Sequence, residues 1–226
     1  MRIKILIATV FFFNAYFLQS CDNTNNKVTE NEIDSSMNYT MPSDSTNSGM
    51  MEMDKSLMQS MSSMKSKLKE MKMTGDFDVE FAYMMIMHHQ AAIDMSKIEI
   101  AKGADTTIKT IAHNIIKAQT EEINQLEKFV NNYKMTETNR KDTKMHRELN
   151  DAMKAMMDKM DLMQMTGNTD KDFVRMMITH HESAVKMAGD ELSNGKQDEV
   201  KKMAKKMIKD QNKEITDFKT WLSSQK

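Results

Sequence analysis

The chain repeats itself. Shifted by 92 positions without a gap, residues 72–95, KMTGDFDVEFAYMMIMHHQAAIDM, fall on residues 164–187, QMTGNTDKDFVRMMITHHESAVKM. The register holds from Gly75 with Gly167 and Phe81 with Phe173, through Met95 with Met187 and Gly103 with Gly195. It runs on to Gln119 with Gln211 and Glu122 with Glu214, giving 21 identities in 59 positions over residues 72–130. A gap-free register of this length marks a duplicated unit. Whatever one copy builds, the other builds as well.

Each copy reads as helical. Residues 51–72 place Met53, Leu57, Met61, Met64, Leu68 and Met71 three or four apart, a single apolar stripe. Thr74-Gly75-Asp76 interrupts the pattern, and Asp76 or Asp78 is placed to cap the helix that follows. That helix carries Phe81, Met84, Met85, His88, Ala92 and Met95 on one face and closes at Gly103. A third helix starts near Asp105, with Ile108, Ile111, Ala112, Ile115, Gln119, Ile123 and Leu126 as its stripe. The second copy repeats the sequence of events from Met145 to Trp221. No period-two run lies between turn clusters, so strands are not expected. With one Pro and six Gly in 226 residues, little stands in the way of long helices. The expected fold class is all-α. Two long helices per copy, paired across the copies, make a four-helix bundle with pseudo-twofold symmetry, flanked by the Met-rich segments 51–72 and 145–163.

The ends of the chain read differently. MRIK is a short basic start, and ILIATVFFFNAYF is apolar but too short to span a bilayer as a mature helix. Leu18-Gln19-Ser20-Cys21 follows and resembles the lipobox of bacterial lipoproteins, which are cleaved before the cysteine and acylated on it. Residues 1–20 are therefore read as a lipoprotein signal peptide and Cys21 as the lipidated residue, so the chain is expected in the cell envelope, anchored to a membrane through Cys21. Residues 21–50, rich in Asn, Ser, Thr and Asp and holding the only proline, Pro42, read as a flexible tether. Residues 51–134 form the first repeat and 135–226 the second, and the two are expected to make one domain. With Cys21 lipidated, the mature chain has no free thiol, and any soft sulfur ligand is a thioether.

Composition narrows the function. A net charge of −1 offers no basic excess for nucleic acid. Methionine is the anomaly, 28 residues against 9 leucines, although leucine is the ordinary filler of helical cores. Methionine at helical spacing is usually core, since it fills irregular gaps well. Met37 and Met41 sit in the tether, where no core accounts for them.

The two His-His pairs carry the chemistry. Residues four apart share a helix face, which places Met84 beside His88 and Met85 beside His89, and likewise Met176 beside His180 and Met177 beside His181. Adjacent imidazoles diverge by about 100° on a helix, so one ring can face the bundle core while the other faces a groove or a neighbouring helix. Thioether with imidazole suits Cu(I), and imidazole with oxygen suits Cu(II). Gln119, Glu122, Gln211 and Glu214 lie on or beside the inward stripe of their helices. They can ligate directly, orient the histidines from behind, or simply pair with each other at the edge of the core.

The pattern Phe81-x2-Met84-x3-His88-His89-x2-Ala92-x2-Met95, repeated as Phe173-x2-Met176-x3-His180-His181-x2-Ala184-x2-Met187, resembles the bacterial secreted family catalogued as domain of unknown function 305, over roughly residues 70–226. The resemblance implies a ferritin-like four-helix bundle of two helical pairs and, in some Met-rich members, copper binding and copper tolerance in the periplasm. Carried over residue by residue, it reaches His88, His89, His180 and His181, with Met84, Met85, Met176 and Met177 beside them. The first copy has Met87 where the second has Thr179, so the two sites need not be equal.

The expectation is a membrane-anchored, extracytoplasmic copper-binding protein working in sequestration or hand-over to a protein acceptor, with Cu(I) or Cu(II) as its cargo. Two other readings stand beside it. One is a structural bundle whose methionine surface docks a partner. The other is a di-iron enzyme of the ferritin-like kind, which needs Glu-x-x-His. That tetrapeptide is absent from the chain, as are HExxH, a phosphate-binding glycine loop and GxSxG. Binding rather than turnover is therefore expected.

Overall fold

The structure is a computed structural model that describes residues 49–134 and 143–225, within the compact unit Asp44–Lys226. The signal segment 1–20, Cys21 and the tether methionines Met37 and Met41 lie outside the described residues. Among the described residues six helices are formed: α1 (Gly49–Glu70), α2 (Phe77–Lys102), α3 (Thr106–Asn132), α4 (Thr143–Asp161), α5 (Thr169–Asn194) and α6 (Asp198–Ser224). No strand occurs among the described residues. The all-α expectation holds. The Met-rich segments start and end about two residues earlier than their apolar stripes suggest.

Helix α2 packs against α3 and α5 against α6, and α2 meets α5 across the repeat boundary while α3 meets α6. These four helices close the bundle. Helix α1 lies against α2, and α4 against α5. With neighbours on three sides, α2 buries residues almost all around its circumference, among them Phe81, Met84, Met85, His88, His89, Ala92 and Met95. Helices α3 and α6 keep one apolar stripe and one wet face, as outer members of a bundle do.

Methionine proves to be the material of the core. Met61, Met64, Met84, Met85, Met95, Met153, Met156, Met160, Met176, Met177, Met187 and Met207 are all buried, most with no exposed surface. A good part of the methionine excess is therefore packing, so the count of methionines alone does not mark a soft metal.

The turns repeat in register. Gly75 and Gly167 adopt φ of 84° and 79°, a left-handed backbone that side chains with a Cβ resist. Asp76 then caps α2 by accepting from Val79 N, and Asn168 caps α5 by accepting from Lys171 N. Asp78 does not cap its own helix. Its carboxylate accepts from the backbone N–H of Lys196 (2.9 Å) and Gln197 (2.8 Å) at the α5–α6 turn of the other repeat. Its counterpart Asp170 accepts from Ala104 (3.0 Å) and Asp105 (2.8 Å) at the α2–α3 turn. Each repeat thus satisfies backbone N–H groups in the interhelical turn of the other, and the two copies are stitched at both ends of the α2–α5 contact.

Candidate metal centre

Met84 and Met85 precede His88 and His89 by one turn of α2, and Met176 and Met177 stand in the same relation to His180 and His181 on α5. All eight side chains are buried without exposed surface. The bundle brings the four imidazoles to its middle, where α2 and α5 cross. The rings of His88 and His180, from opposite repeats, have centroids 3.5 Å apart and planes inclined by 37°. Within each repeat the neighbouring rings diverge, with centroids 6.3 Å apart for His88 and His89 and 6.1 Å for His180 and His181.

The outer ring of each pair reaches a carboxylate on the second helix of its own repeat. His89 Nε2 is hydrogen-bonded to Glu122 Oε2 at 2.9 Å. His181 Nε2 lies 2.8 Å from Glu214 Oε2, within ion-pair distance, but its angles fall outside hydrogen-bond geometry. Glu122 and Glu214 thus each stand beside a histidine of their own repeat. Gln119 and Gln211 are buried as well, with Gln119 Oε1 and both amide atoms of Gln211 lacking a hydrogen-bond partner.

Of the eight ring nitrogens in the two pairs, seven have no hydrogen-bond partner in the structure. Buried polar groups are nearly always paired, and leaving one unpaired costs about 1–3 kcal/mol. Burial holds His88 well below its ordinary value, helped by the charges that His89 and His181 can carry, and burial does the same to His180 beside His88, His181 and His89. His88 and His180, neutral and with open lone pairs in a core rich in methionine, are donors for a cation of borderline or soft character. Their side-chain inventory fits copper. The cage is not preformed, however. Among the described residues no three His, Cys, Asp or Glu side chains already stand in ligating positions, so the stacked rings have to swing for an ion to sit between them.

One partner was not foreseen. Lys206, on α6, places Nζ 2.9 Å from Glu122 Oε1 and 2.9 Å from Asp210. Burial alone raises the Glu122 carboxyl, but the bonds and charges of His89 and Lys206 outweigh it and hold it below its ordinary value. The signal was a break in the repeat: where the second copy has Lys206, the first has Asn114.

Among the described residues no helix is long and apolar enough to cross a membrane. No protein of curated function matches the chain. Among solved structures, CopM in an Ag-bound form is 29% identical and covers 69% of this chain and 98% of its own, with a TM-score of 0.50. CopM in its Cu(II)-bound form is 28% identical over 66% of this chain and 98% of its own, again at 0.50. A DUF305 protein from Streptomyces coelicolor shares the fold at a TM-score of 0.53, with 22% identity over 67% of this chain and 93% of its own. The family model described as domain of unknown function (DUF305) matches residues 18–130 and again 78–222, overlapping spans that follow the internal repeat, and the chain belongs to that family.

Proposed function

We propose that this chain binds copper outside the cytoplasm, held to a membrane through a lipid on Cys21, and sequesters the ion or passes it on rather than turning over a substrate. His88, His89, His180 and His181 are the primary ligands. Met84, Met85, Met176 and Met177 supply sulfur from the same helical ridge. Glu122 and Glu214 orient the outer imidazoles, as carboxylates commonly do for ligating histidines, and Gln119 and Gln211 offer amide groups nearby in the same stripe. The observation that carries the reading is the set of seven imidazole nitrogens without a hydrogen bond, buried in a core rich in methionine and phenylalanine. The Ag-bound and Cu(II)-bound forms of CopM, similar to this chain over 69% and 66% of its length, support it.

Accessory thioethers are available near the surface. Half-buried Met58 and Met157 line an open groove of about 260 Å³ between α1 and α4, with buried Met61 at its wall and the Lys65–Asp161 ion pair at 2.9 Å bridging it. Weak sites of this kind suit capture and transfer.

The test is titration of the full chain, in detergent, with Cu(I) and with Cu(II), beside a variant in which all four histidines are alanine and one in which Met84, Met85, Met176 and Met177 are leucine. Loss of the tight sites in the first variant, and a selective loss of Cu(I) affinity in the second, are expected. Equal stoichiometry and affinity in the wild type and the histidine variant defeats the assignment.

A further inference from the structure

The two repeats are alike in their ligands and unlike in their charge. Glu122 lies 2.9 Å from Lys206 Nζ, and only 7% of its side chain is exposed. Its negative charge is already balanced before any ion arrives. Glu214 is 20% exposed, and among the described residues its ion-pair partner is His181. The 92-residue register explains the difference. The position on α3 equivalent to Lys206 is Asn114, an exposed neutral residue, and the one equivalent to Asp210 is Ala118. Lys213, next to Glu214 in sequence, is committed to Asp217 at 2.6 Å.

The contact geometry differs in the same sense. The His89–Glu122 pair is hydrogen-bonded and locked from behind by Lys206, which is itself held by Asp210. The His181 ring is close to Glu214 without a directed bond and has both nitrogens open. A ring in the first half has to break a bond to turn toward an ion, and the ion then feels a neighbouring ammonium. A ring in the second half breaks no directed bond, and among the described residues the carboxylate behind it has no ammonium at ion-pair distance, Lys213 acting on it only from farther off.

We infer that Lys206 divides the duplicated centre into unequal halves, with His180, His181 and Glu214 receiving the first soft monovalent cation and His89 with Glu122 engaging last. This rests on the metal-binding reading above and adds an order of filling to it. Lys206 acts through Glu122 and is a positioning residue, not a ligand. In a protein that hands an ion onward, such an order gives one labile half and one held in reserve.

Ag(I) is a suitable probe, since it is diamagnetic and stands in for Cu(I). The experiment follows the imidazole signals of the full chain by NMR as Ag(I) is added in sub-stoichiometric steps. His180 and His181 are expected to shift with the first additions and His89 only afterwards. Two exposed-site substitutions then move the charge. Asn114→Lys gives the second half the cation it lacks and is expected to weaken the first binding step on the order of tenfold. Lys206→Asn removes the cation from the first half and is expected to bring the two steps together. Simultaneous shifts of His89 and His181, or an order unaltered by both substitutions, overturns the inequality and leaves the metal reading standing. No imidazole shift at any Ag(I) level overturns both.

Discussion

His88 and His180 face each other across the repeat boundary with ring centroids 3.5 Å apart, and neither ring has a hydrogen bond at either nitrogen. Stacking supplies dispersion contact but leaves four fully buried polar atoms without hydrogen bonds. That arrangement is poor for stability in the ion-free protein. Replacing both partners of a strained buried polar contact with apolar groups of similar shape is often neutral or stabilising. His88→Leu with His180→Leu is therefore expected to stabilise the ion-free protein by about 1–3 kcal/mol, while abolishing most of the rise in melting temperature on adding Ag(I). Thermal unfolding with and without Ag(I) checks both halves of the statement. Loss of stability in the ion-free variant means that the nitrogens had partners after all.

Much of this was legible in the sequence, because the signals are local or periodic. The 92-residue register announces the twofold arrangement, helical spacing places Phe81, Met84, Met85 and His88 on one buried face, and Gly75 and Gly167 mark the turns. Glu122 and Glu214 were legible as companions of the histidines because they keep the register on the facing stripe. What was not legible depends on residues far apart in the chain. Nothing local to Asp78 says that its carboxylate serves Lys196 and Gln197, 118 and 119 positions away. A usable signal was present: Asp78 and Asp170, like Glu99 and Glu191, are acidic residues kept identical in both copies at positions that turn out buried. Lys206 was not legible because it departs from the repeat, with Asn114 at the equivalent position of the first copy.

The cross-repeat caps predict an unusual cost for a helix-end substitution. Asp170→Ala deletes the acceptor for the Ala104 and Asp105 N–H groups and leaves two donors at a turn that the other repeat covers. Ordinary capping changes cost about 0.5–2 kcal/mol. Asp170→Ala is expected at the upper end of that range, and Asp78→Ala likewise through Lys196 and Gln197. Urea unfolding of the single and double variants gives the values. A cost under about 0.5 kcal/mol for both singles contradicts the stitching role.

The left-handed turns make a smaller, sharper prediction. Gly75 has φ of 84°, and its N–H donates to Glu80 Oε1 at 2.7 Å, which fixes the loop entering α2. Gly75→Ala keeps the hydrogen bond but places a Cβ in a backbone region that costs about 1–2 kcal/mol. Gly167→Ala is expected to cost about the same, because its φ of 79° and its bond to Asp172 Oδ2 at 2.9 Å repeat the arrangement. Unfolding free energies that differ widely between the two variants count against equivalent turns.

Two buried carboxyls set the response to pH. Glu99 and Glu191 have no exposed surface, and each fills the space at its turn where a Cβ on Gly103 or Gly195 would overlap it. Burial, followed by the hydrogen bond and charge of Asp170, pushes Glu99 up to about 8 despite Lys109. Burial, followed by the charge and hydrogen bond of Asp78, pushes Glu191 up to about 9 despite Lys201. Neither carboxyl meets a donor elsewhere, so a proton between each Glu and its Asp is what pairs them. The folded state then binds these protons more tightly than the unfolded chain does. Their contribution is complete below the ordinary value of 4.5 and is lost as pH rises to about 8 for Glu99 and about 9 for Glu191, at about 1.4 kcal/mol per pH unit for each. His88 and His180 act in the opposite sense, since bases held below 6.5 withdraw stability as the pH falls under 6.5. The two slopes oppose each other between 4.5 and 6.5, and only the carboxyl slope remains above. Urea unfolding from pH 6.5 to 9.5 is thus expected to show falling stability that levels off near pH 9. Glu99→Gln with Glu191→Gln supplies an amide N–H to Asp170 and Asp78 at every pH and flattens that fall. An alkaline slope unchanged in the double variant rules out protons at these two turns as its cause.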